Sequence, residues 1–78
     1  MKIDIEENKL QTYALDNIRR CRESIRDGIL EDSSYFWGKV CCVKEILMWF
    51  GLCFRNDIQR EFNILYDEYA NFLVRMFG

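Results

Sequence analysis

Histidine and proline are both missing from this chain of 78 residues. Without histidine the commonest general base is gone, and so is one of the two usual zinc ligands. Without proline, and with only four glycines, little interrupts a helix within its length. Three of those glycines, Gly28, Gly51 and Gly78, stand where helices would stop, a pattern of long helices joined by short turns. A large positive excess is also missing: the formal net charge is −2, which argues against a general nucleic-acid binder. The opening "MKIDIEENKLQTYAL" has acids directly after its first lysine and no continuous apolar core, so it does not read as a secretory signal. The expected location is the cytosol, where the four cysteines stay reduced and imply no disulfide framework.

What the chain does have is apolar and aromatic bulk, with half its residues apolar and 15% aromatic. A chain this short buries only about 60% of the surface its unfolded form exposes, so large rings must supply much of the burial. Leu10, Ala14, Ile18, Cys21 and Ile25 recur at helical steps, widened by Tyr13 and Leu15, and predict a first helix over residues 4–27 ended by Gly28. "ILEDSS" reads as a connection, with Asp32, Ser33 or Ser34 available as a cap. Phe36, Val40, Val43, Leu47 and Phe50 predict a second helix over 34–50, with Cys42, Ile46, Trp49 and Cys53 as a neighbouring stripe. Gly51 would stop it in a Schellman turn, Leu52 folding back on Leu47. In "NDIQ", Asn56 and Gln59 have the spacing of a capping box. Ile58, Phe62, Leu65, Tyr69, Phe72 and Met76, broadened by Tyr66, Leu73 and Phe77, then predict a third helix over 57–77 that leaves Arg60, Asn63, Asp67, Asn71 and Arg75 to water. The expected fold is all-α: one domain spanning 1–78, a three-helix bundle with antiparallel neighbours.

The run "SSYFWGKVCCVKEILMWFGLCF", residues 33–54, is long enough to raise the question of a membrane anchor. Lys39, Lys44 and Glu45 lie inside it, and ionised groups near a span's centre cost roughly 2.5–3.5 kcal/mol each, so no membrane partner is expected. Cys41 and Cys42 point about 100° apart on a helix and cannot readily clasp one ion together, and no Cys-x-x-Cys pair or nearby base supports redox work. No paired carboxylates, serine–base couple or glycine-rich phosphate loop can be assembled. The expectation is no catalytic residue, no metal and no cofactor, with Cys21 and Cys42 buried as small hydrophobes and Cys41 the most accessible thiol.

With the core stripe and its neighbour assigned, the third side of helix 2 carries Trp37, Cys41, Lys44, Glu45 and Met48. An indole, a thiol and a thioether on an outer face mark it as the candidate surface for another protein or a second copy of the chain, unless the flanking helices cover it. Gly38 sharpens that choice, because mid-helix it costs about 0.5–1 kcal/mol relative to alanine unless something packs closely against it, and the close approach of another helix would explain it. A second candidate is the row Arg19, Arg22 and Arg26 in "RRCRESIR", whose guanidinium forks suit phosphates or a partner's carboxylates. Asp16 and Glu23 sit at the spacings that would turn the row into a salt-bridged solvent face instead. The functional expectation is a non-catalytic protein-interaction module. Its alternatives are a nucleic-acid-binding regulator using the arginine row, or a purely structural homodimer.

In brevity, acidity, freedom from proline and aromatic richness the whole chain resembles the short helical accessory proteins of bacteriophages and other mobile elements. The resemblance rests on composition, with no motif to match residue by residue. It implies binding and blocking of a host protein, as anti-CRISPR and other anti-defence proteins do, in the host cytoplasm.

Overall fold

The computed structural model describes residues 6–78. Three helices follow in order: α1 (Glu7–Asp27), α2 (Leu30–Trp49) and α3 (Asn56–Phe77), with no strand among the described residues. This is the all-α three-helix bundle expected from the periodicity. The expected helical residues 4 and 5 lie outside the described residues.

Two helix ends follow from glycine. Gly28 has φ 74° and Gly51 φ 72°, a conformation that other residues avoid because Cβ meets the carbonyl. At Gly28 the amide of Ile29 donates to Ser24 O (3.0 Å) and that of Gly28 to Ile25 O (3.1 Å). At Gly51 the amide of Leu52 donates to Leu47 O (2.8 Å) and that of Gly51 to Met48 O (3.0 Å). Both are Schellman endings, and Leu52 is half-buried against the core as expected.

The helix starts differ from expectation. "ILEDS" is not a connection: α2 begins at Leu30 on the heels of Gly28, with Ile29 at the cap position and no side-chain cap. Ser33, instead of capping, is buried one turn in and donates its hydroxyl to Ile29 O (2.7 Å). The Schellman turn reverses the chain so tightly that the next helix begins at once. The capping box at α3 is also not formed. Arg55 takes the cap position with extended backbone, and Gln59 turns its amide forward to Asn63 (2.9 Å). The turn before α3 is held instead by Gln11 of α1, fully buried, which donates to Cys53 O (2.9 Å) and accepts from the Arg55 amide (3.1 Å).

The core contains Ala14, Ile18, Cys21, Ile25, Val40, Val43, Leu47, Phe54, Ile58, Phe62, Leu65 and Phe72. α1 packs against both other helices, whereas the backbones of α2 and α3 hardly approach each other. α1 is therefore covered on two sides, which buries Gln11, Asn17 and Ser24 along with its apolar stripe. Asn17 and Ser24 pair with carbonyls one turn back, at Tyr13 and Arg20, so their burial leaves no orphan group. On α3 the five polar residues left to water are all exposed, but Tyr66, Met76 and Phe77 are exposed too.

Candidate functional site

The expected partner surface on α2 is mostly turned inward. The Trp37 indole stacks on Phe62 (centroids 5.5 Å apart) and on Tyr69 (4.9 Å), both from α3. The Lys44 ammonium lies 4.5 Å from the centre of the Phe62 ring, a cation held on an aromatic face. Cys41 is half-buried beside them, and burial raises its thiol pKa, with Glu45 adding to the rise against the opposing pull of Lys44. Of the five residues, only Glu45 and Met48 are exposed. Trp37 and Lys44 thus join α2 to α3 and Cys41 is half-covered, so the expected surface is not open as a whole.

The side of α2 left open is the neighbouring stripe. Tyr35, Cys42 and Trp49 succeed one another at seven-residue steps, each drifting only about 20° around the helix. Trp49 is 77% exposed, Tyr35 59% and Cys42 is exposed, with Gly38 exposed between them and Ile46 half-buried at the flank. Met48 and Phe50 extend the apolar surface at the carboxyl end. Charge around this face comes from Glu31, Asp32, Lys39 and Glu45. Lys39 lays its ammonium 4.4 Å from the Tyr35 ring centre, so even the cation is folded onto the aromatic surface. An outward helix face would normally be mainly charged and polar.

The cysteines follow this rotation. Cys21 is buried on α1 and donates its thiol to Ser33 O (3.3 Å). Burial, reinforced by the nearby Cys41 and Glu68, pushes its pKa up to about 12. The expectation that Cys42 would be buried and Cys41 the accessible thiol is reversed: Cys42 and Cys53 are exposed and Cys41 is the more covered.

The arginine row is brought together but is not free. Arg19, Arg22 and Arg26 line a shallow depression with Glu23. Arg22 leans toward α3, where its Nη1 donates to Glu61 (3.2 Å) and its Nε lies 2.8 Å from a Glu68 oxygen, an ion pair whose N–H is not aimed at the acceptor. The middle of the row is therefore neutralised by two carboxylates. Arg20, beside it, pairs with Asp16 (2.9 Å).

No family model, curated protein or solved structure matches this chain. Among the described residues no helix is long and apolar enough to cross a membrane. No group of three His, Cys, Asp or Glu among them is placed to hold a metal ion. Internal packing of the protomer leaves unexplained both the open face of α2 and the exposed Tyr66, Val74 and Phe77 of α3.

Proposed function

We propose that this protein is a non-catalytic interaction module whose docking surface is the outward face of α2, formed by Tyr35, Gly38, Cys42, Ile46 and Trp49. The observation that carries the reading is the Trp49 indole, 77% exposed at the end of a face already occupied by Tyr35 and Cys42. Tryptophan and tyrosine are the residues that most often anchor protein interfaces, because each buries a large area at small entropic cost. Met48 and Phe50, also exposed, enlarge the anchor. The resemblance to phage accessory proteins adds a candidate occupant, a host protein such as a CRISPR-type effector.

A photo-reactive benzophenone residue at position 49, introduced into the full chain in cells, tests the reading. Position 60, on the water-facing side of α3, serves as the control. Irradiation should give a covalent protein adduct from position 49 and none from position 60. Equal labelling from both positions, or none from either, would remove the docking face.

A further inference from the structure

Arg26 and Arg75 stand in the last turns of α1 and α3, far apart in sequence, and line one notch at the end of the bundle. The notch holds about 270 Å³, and its other walls are Ile25, Gly28, Phe72 and Met76. Its surface is part guanidinium and part apolar. Arg26 also closes the shallow depression of Arg19, Arg22 and Glu23, so a strip of four guanidiniums follows α1 and crosses to α3.

A cation in the last turn of a helix offsets the helix dipole, which accounts for one charge at each end. It does not account for a pair left side by side without a counter-ion. The neighbouring arginines are matched: Arg20 has Asp16, and Arg22 has Glu61 and Glu68. Among the described residues no carboxylate pairs with Arg19, Arg26 or Arg75. The carbonyls that would repel an anion at the end of α1 are also occupied, since Ser24 O and Ile25 O accept from the amides of Ile29 and Gly28.

What an occupant must carry follows from these walls. Two guanidinium forks suit the oxygens of a carboxylate or a phosphate. A phosphate backbone, however, is held by a run of positive charge, and along this strip Glu23, Glu61 and Glu68 stand against the arginines. The apolar walls discriminate further. Phe72 is buried, whereas Met76 is exposed and flexible enough to fold over a neighbouring group. They fit a hydrocarbon side chain beside the anion and offer a sugar–phosphate chain no hydrogen bond.

We infer that the notch between Arg26 and Arg75 binds a carboxylate of a partner protein, presented on a segment that places a large apolar side chain next to it. Arg26 and Arg75 grip the carboxylate, and Phe72 and Met76 cover its apolar neighbour. Arg19, two turns back along α1, receives a second acid where the segment carries one. The site lies on the seam of α1 and α3 and stands or falls independently of the α2 face.

The test uses the isotope-labelled full chain and a short blocked peptide centred on Leu-Glu-Phe, read by NMR at the arginine side-chain N–H groups and the Met76 methyl. The peptide should shift the Arg26, Arg75 and Met76 signals saturably at millimolar concentration, and its Leu-Gln-Phe counterpart should bind about tenfold more weakly. Arg26→Gln and Arg75→Gln should each weaken binding about tenfold, whereas Arg20→Gln, which loses only an exposed pair with Asp16, should leave it unchanged. All three side chains are exposed, so circular dichroism should show wild-type helicity in each variant. No saturable shift, equal binding of the two peptides, or an affinity indifferent to Arg75→Gln would overturn the inference. Inorganic phosphate or single-stranded DNA that shifts the same signals at lower concentration than the glutamate peptide would also overturn it, by making phosphate the ligand.

Discussion

The four cysteines fall into three degrees of burial, and their chemistry should separate accordingly. A thiol reacts as its thiolate and only where reagent can reach it. Brief alkylation of the folded chain in dilute solution should modify Cys42 and Cys53 first, Cys41 more slowly and Cys21 last, as peptide mass spectrometry would show. Early labelling of Cys21 would place it outside the α1 core. Cys21 also makes stability depend on pH in a calculable direction. Its folded pKa of about 12 lies above the ordinary thiol value of 9.0, so the unfolded chain releases this proton first as pH rises. A raised pKa contributes stability that is complete below the unfolded value and is lost as pH climbs through the folded one. Urea midpoints should therefore fall between about pH 9 and 12. Cys21→Ser keeps a donor for Ser33 O but does not ionise there, so it should flatten that fall. An equal decline in the variant would assign the alkaline loss to other groups.

At the scale of elements, the two tryptophans of α2 make the sharpest comparison. Trp37 is packed on Phe62 and Tyr69 and is the main bridge from α2 to α3. Trp37→Ala should cost about 3 kcal/mol of unfolding free energy. Trp49→Ala should change it by less than about 0.5 kcal/mol in dilute solution, because the indole touches little within the protomer. Comparable losses in chemical denaturation would mean that Trp49 is covered. Gln11 gives a second element-level test. Gln11→Leu fills a similar volume but strands Cys53 O and the Arg55 amide, and should cost about 2 kcal/mol. Retention of wild-type stability would show that the turn is not held from α1. The same residues show what could be read in advance. Both Schellman stops were legible because glycine at a helix end is a local signal, and the stripes of α1 and α3 were legible because their polar residues gather on one side. α2 gave no such contrast. It is apolar or aromatic nearly all round, so its periodicity could not choose between the Trp37–Met48 side and the Cys42–Trp49 side. The Gln11 clamp was hidden for another reason: its partners lie 42 and 44 residues away in sequence.

Across the whole molecule, α1 is the hub and the periphery is thin. The protomer extends 48 Å by 22 Å by 18 Å with a radius of gyration of 13.4 Å, longer than the roughly 11–12 Å expected for a compact domain of this length. The elongation exposes the outer face of α2 and the end of α3, where Val74 and Phe77 face solvent. A core this small yields only a few kcal/mol on its own, and oligomerisation is one way such chains gain more. If a second copy covers the α2 face, unfolding is linked to dissociation, and the thermal midpoint must rise with protein concentration. Each tenfold increase adds about 1.4 kcal/mol to the dimer, shared between two chains, which corresponds to roughly 3–5 °C for a domain of this size. Placing a carboxylate on the exposed aromatic face, Trp49→Glu, should remove the concentration dependence while leaving the dilute-solution midpoint within about 2 °C of wild type. Melting curves followed by circular dichroism over a hundredfold concentration range would read both effects. A midpoint independent of concentration in the unmodified chain would mean that the protomer carries its exposed aromatic face alone, with all of its stability supplied by the packing around α1.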